Sequence, residues 1–98
     1  MHEKPLPIKK VEVKMIGKFT IDILYCVPWG HHGTAAWMVS EFFQAYGGDA
    51  AISLTPSDGG RFEVRFNGKK IWDKAEAGGI YPSLTNVREI KATINQAL

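Results

Sequence analysis

Residues 19–46 read FTIDILYCVPWGHHGTAAWMVSEFFQAY. An apolar strand runs into the chain's only cysteine, Cys26, and a turn holding Pro28, Gly30, His31 and His32 follows. An amphipathic helix comes next and stops at Gly47-Gly48. In the strand, Phe19, Ile21, Ile23 and Tyr25 share one face, while Thr20, Asp22 and Leu24 share the other. Leu24 and the β-branched content predict burial on both sides near Cys26, as in a central strand. Ala35, Met38, Val39, Phe42 and Tyr46 form an apolar helical stripe, widened by Trp37 and Phe43. The helix is predicted to start between Gly30 and Thr34, with Thr34 as N-cap, and to end on a left-handed glycine stop. A thiol between a strand end and a helix start lies where backbone N–H groups carry partial positive charge, which favours the thiolate.

Outward from this stretch the pattern stays α/β. Residues 50–54 read as a second strand, parallel to the first if the helix is a right-handed crossover. TPSDGG, residues 55–60, is a turn-rich connection. Residues 61–66 and 69–72 flank Asn67-Gly68, a strong hairpin signal. Phe62, Val64 and Phe66 face one way and Arg61, Glu63 and Arg65 the other, which predicts a half-buried strand with a wet face. A loop over residues 73–81 holds Gly78-Gly79, and Pro82-Ser83 opens a second helix striped by Leu84, Val87, Ile90, Ile94 and Leu98. A βαβ unit followed by a ββα unit is the thioredoxin core: a four-stranded mixed sheet of order 2-1-3-4 with two helices. Its cysteine turn sits at the carboxyl end of a central strand, where open α/β sheets place ligands. Residues 1–18 form an N-terminal extension ahead of the 19–98 domain. In it Val11, Val13 and Met15 alternate as an extra strand would, hairpinned to the next through Ile16-Gly17-Lys18.

Composition sets the outer bounds. The 98 residues make one domain, 45% apolar and 22% charged, able to bury about 65% of its unfolded surface without a disulfide or metal. One cysteine excludes an internal disulfide and fits a reducing compartment, the cytoplasm by default. MHEKPLPIKK lacks the apolar region of a signal peptide, and no apolar run is long enough to span a bilayer. A net charge of +2, with three lysines among the first ten residues, is too weak and diffuse to argue nucleic-acid binding.

These stretches resemble the selenoprotein W-like family (the selenoprotein T, W and H group, also called Rdx), which is thioredoxin-like. The matching residues are Tyr25-Cys26, AAWM at 35–38, Thr55-Pro56, GGRFEVRFNGKKIWD at 59–73, and Gly78-Gly79 before Pro82. The resemblance runs from about residue 19 to 98 and implies thiol redox and glutathione-linked chemistry. The family's hallmark is a C-x-x-C or C-x-x-selenocysteine turn. Cys26-Val27-Pro28-Trp29 keeps its first position and loses its second, so only Cys26 carries over and two-thiol chemistry does not. In the turn before the third strand, where dithiol thioredoxins carry a cis-proline facing the thiol, this chain has Gly60.

The site residues therefore have competing readings. Cys26 is either a thiolate for monothiol exchange with glutathione or a protein thiol, or a small buried hydrophobe under Trp29. His31 and His32 are either polar surface or partners of the thiolate. A Cys/His zinc site would need more ligands than one cysteine and this pair supply, so no metal is expected. Trp29, beside Pro28, is either an exposed platform for a peptide or another subunit of a homo-oligomer, or an inward plug. Trp37 reads as core or groove wall. Enzymatic activity of the dithiol kind is excluded, and a non-redox binding module is the alternative function.

Overall fold

The computed structural model describes residues 17–80 and 82–98. Strand β1 (Phe19–Cys26) is followed by helix α1 (His32–Tyr46), a 3-10 turn (Gly47–Asp49), β2 (Ala50–Ser57), β3 (Phe62–Phe66), β4 (Lys69–Asp73) and α2 (Leu84–Ala97). The four strands form one sheet of order β2-β1-β3-β4. β1 pairs in parallel with β2 and antiparallel with β3, and β3 pairs antiparallel with β4. This is the arrangement expected from the βαβ and ββα units.

Both helices cover one face of the sheet. Ile21 and Ile23 of β1 and Phe62 and Val64 of β3 join Ala35, Met38 and Phe42 of α1 and Val87, Ile90 and Ile94 of α2 in one buried cluster. The helices also meet directly, through the Tyr46 hydroxyl, whose single proton is shared between Asn95 Oδ1 at 3.0 Å and the Lys91 carbonyl at 3.3 Å. Local signals fix the ends of the elements. Asn67 (φ 51°) and Gly68 (φ 85°) turn the β3–β4 hairpin with the positive φ values such a two-residue turn requires. Ser83 Oγ accepts the Asn86 N–H while Asn86 Oδ1 accepts the Ser83 N–H, a reciprocal cap on α2.

Several boundaries differ from expectation. The first helix starts at His32 with His31 as N-cap, so Thr34 lies inside the first turn rather than capping it. The cause is the His31 N–H, which donates back to the Cys26 carbonyl at 3.1 Å and brings the helix start close to the strand. β2 continues through Thr55 and Pro56 to Ser57, shortening the predicted turn. As an edge strand, β2 accepts a proline where a central strand would not. Glu63 is not on a wet surface: it is 8% exposed, held between two arginines. The strand expected over Val11–Met15 lies outside the described residues, and both edges of β1 are taken by β2 and β3.

Candidate functional site around Cys26

β1 delivers Cys26 to the carboxyl end of the sheet, opposite Ser57 of β2. The backbone then folds tightly: Gly30 N–H donates to the Val27 carbonyl at 3.0 Å, and Gly30 takes φ 74°, a conformation that favours glycine. The Cys26 side chain is fully buried, with 0% exposure. Its Sγ accepts the Gly60 N–H at 3.2 Å. The donor at sulfur therefore comes from the β2–β3 turn, 34 residues away in sequence, while the His31 N–H at the helix start goes to the Cys26 carbonyl.

Trp29 lies over that same turn. A methyl group added at Gly60 would come 2.6 Å from Trp29 Cζ3 and 2.8 Å from Cη2, so the indole rests directly on the glycine. Gly60 also has φ 75°. Gly60 thus touches both the indole, on its Cα side, and the sulfur, through its N–H. Trp29 is nevertheless 60% exposed, and Val27 and Pro28 beside it are exposed too. It is a surface platform with one face seated, not an inward plug. The Lys74 ammonium stands 5.7 Å from the ring centroid, within cation–π range. The turn bearing Lys74 is fixed by Asp73, whose Oδ1 accepts the Ala75 N–H at 2.9 Å. The hydrogen bond from Lys70, at 2.8 Å, holds the Asp73 carboxyl below its usual range.

The two histidines part company. His31 is 1% exposed, its ring edge-on to Trp29 (centroids 6.2 Å apart) and tilted against Phe62 at 5.7 Å. His32 is exposed on the first turn of α1. Among the described residues, no group of three His, Cys, Asp or Glu side chains is placed to hold a metal ion. Trp37 is partly buried against the core. The structure thus gathers Cys26, Trp29 and His31 and leaves His32 and Trp37 elsewhere. It adds Lys74, which no sequence signal marked, and it brings Gly60, which stands where dithiol thioredoxins carry the cis-proline, onto the sulfur.

Arg61 completes the surroundings. Its Nε donates to Glu63 Oε2 at 3.2 Å, and its Nη1 reaches Ser57 Oγ at 3.5 Å. Arg65 Nη2 binds the other oxygen of Glu63 at 3.1 Å.

This architecture and turn have known counterparts. A crystal structure of a protein from Bordetella parapertussis superposes with a TM-score of 0.69 at 31% identity, covering 82% of this chain and 98% of that one. A selenoprotein W-related protein from Vibrio cholerae gives a TM-score of 0.63 at 30% identity, covering 76% of this chain and 98% of its own. No functionally curated protein matches. The pattern of the Rdx family matches residues 20–96, which include every strand and helix apart from the end residues of β1 and α2. With the 2-1-3-4 sheet and the cysteine at the end of its central strand, the match makes this chain a member of the Rdx family of selenoprotein W-like, thioredoxin-fold proteins.

Proposed function

We propose that the chain serves cell redox homeostasis by monothiol exchange at Cys26, with glutathione or a protein thiol as the partner. The observation that carries this reading is the Gly60 N–H aimed at Cys26 Sγ at the end of the central strand. A backbone donor at sulfur is ready to stabilise the thiolate that attacks a disulfide. In the exchange, the Cys26 thiolate bonds to the glutathione sulfur of a glutathionylated protein and expels the protein thiolate. A second glutathione thiolate then attacks the glutathione sulfur of the mixed disulfide and releases Cys26. No second protein thiol is needed, which suits a turn with Trp29 in the fourth position. A reducing compartment, the cytoplasm, supplies the glutathione.

The buried sulfur sets a condition. Attack requires Trp29 and the Gly60 turn to move aside, and an indole that is 60% exposed leaves its seat without opening the core. The test is intact-mass analysis of the folded protein incubated with oxidised glutathione. One adduct per chain is expected, abolished in Cys26→Ser and reversed by excess reduced glutathione. If only the urea-unfolded chain forms the adduct, the exchange reading fails. Trp29→Cys should further permit a reversible internal disulfide, provided the turn keeps its geometry.

The exposed Trp29 face, with Lys74 beside it, favours a second reading, in which the turn is a protein-binding surface for a peptide or another subunit. Failure to form the adduct, together with tight association lost in Trp29→Ala, would select it.

A further inference from the structure

Strand alternation puts Cys26 on the helix-free face of the sheet with Leu24 and Asp22. On one side of β1, Ser57 of β2 pairs with Cys26; on the other, Glu63 of β3 pairs with Leu24. The Arg61 guanidinium touches both Ser57 and Glu63. A group anchored on both flanking strands spans the end of β1, above Leu24 and Cys26. Its own residue directly follows Gly60, whose N–H meets the sulfur.

This guanidinium is built in, yet open. Glu63 is buried and bound by Arg65 from its other side, so it holds the Arg61 head in place. The Arg61 side chain remains 46% exposed, and its Nη2 has no partner among the described residues. Acidic groups stand around it. Glu63 is shared between two arginines, and Asp22 lies four residues back along β1, about 13 Å away, where it accepts the Ser53 and Thr55 hydroxyls. Asp58, exposed at the start of the turn, gives its carbonyl to the Arg61 N–H at 3.4 Å. Lys74, near Trp29, adds a second cation to the same end of the sheet.

We infer that Arg61 is a specificity-determining residue for exchange at Cys26: it receives a carboxylate of the incoming disulfide, so acidic disulfides react faster than neutral or cationic ones. This rests on the exchange reading above. The Cys26 thiolate bonds to the near sulfur, the disulfide bond breaks, and the departing thiolate leaves with the electron pair and takes a proton from water. The disulfide is the oxidant. Arg61 changes neither bond; it orients the carboxylate, and both glutathione and an acidic peptide offer that group.

The test measures adduct formation on the folded protein with three small disulfides: dithiodipropionate (anionic), hydroxyethyl disulfide (neutral) and cystamine (cationic). At low salt the expected order is anionic, neutral, cationic, with roughly tenfold between the extremes, each charge contributing what a partly solvated ion pair supplies. Salt at roughly 0.5 M should erode the spread. Arg61→Gln should remove most of the ratio, leaving the smaller part that Lys74 supplies, and Arg61→Lys should restore part of what is lost. Arg88→Gln, on the distant α2 surface, should leave the wild-type ratio in place and so separates local recognition from net charge. Rates independent of charge, or a ratio that survives Arg61→Gln undiminished, would overturn the inference while leaving exchange intact. Failure of all three disulfides to react overturns exchange and the inference together. Should Arg61→Gln not fold, Arg61→Lys and the salt series still decide.

Discussion

On the helix-covered face of the sheet, Ile21, Ile23, Phe62 and Val64 are wholly buried in a cluster with Met38, Phe42, Val87 and Ile94. On the other face, Leu24 and Glu63 are shielded by neighbouring side chains and Cys26 by a turn, with Arg61, Arg65, Ser53 and Thr55 making the surface. The first face excludes water through apolar area, which is where fold stability comes from. The second is held mainly by hydrogen bonds and ion pairs, which contribute little where they reach water, as at Asp22, and more at the buried Glu63. A thiol on the second face can be uncovered without disturbing the first. The difference teaches that stability and reactivity are assigned to opposite sides of one sheet.

Core truncation gives the largest expected effect and tests that division first. Ile23→Ala should destabilise by about 2–4 kcal/mol and Val64→Ala by about 1–3 kcal/mol, through lost burial plus residual cavity. Asp22→Ala, on the opposite face and one residue from Ile23, should cost less than about 1 kcal/mol despite losing two hydroxyl hydrogen bonds, because that site is wet. Urea melts of the three variants supply the comparison. Equal losses for Ile23 and Asp22 would break it.

A middle-sized effect is expected where the two faces meet at the sheet end. Gly60→Ala places a methyl group 2.6 Å from Trp29 Cζ3 on a backbone at φ 75°. The left-handed conformation alone costs an alanine about 1–2 kcal/mol. The indole must also leave its seat, so tryptophan fluorescence should shift and iodoacetamide should alkylate Cys26 faster than in the wild type. A variant that is destabilised but reacts at the wild-type rate would mean that the indole does not guard the sulfur.

The frame of the molecule was legible because its signals are local or periodic. The strand ending at Cys26, the apolar stripe on the first helix, and Asn67-Gly68 each specify an element within a few residues. The site was legible only as a list of residues. Pro56 reads as a turn residue until the sheet order makes β2 an edge. Glu63 reads as exposed from strand alternation, since nothing local says that two arginines will close over it. His31 and His32 are adjacent and alike in chemistry, and only the helix start decides which one turns inward. The Gly60 contact with Cys26 spans 34 residues and is made by a backbone N–H, which no side-chain motif encodes.

The smallest effect on stability, and the sharpest on function, belongs to Trp29→Ala. A fully buried tryptophan would cost about 3 kcal/mol or more on truncation. At 60% exposure, resting on Gly60, the edge of His31 and the Lys74 ammonium, this one should cost less than about 1 kcal/mol. The melting temperature should hardly move. Removing the ring clears the outer side of the Gly60 turn while leaving the N–H at the sulfur, so Cys26 alkylation by iodoacetamide should quicken. Sedimentation of both proteins adds the other half of the test, because a platform that holds a second subunit loses the association with the ring. An accelerated thiol in a protein of unchanged mass and stability makes Trp29 a gate. An unaltered thiol with lost association makes it a docking surface, and a loss near 3 kcal/mol would return it to the core and dissolve the contrast between the two faces.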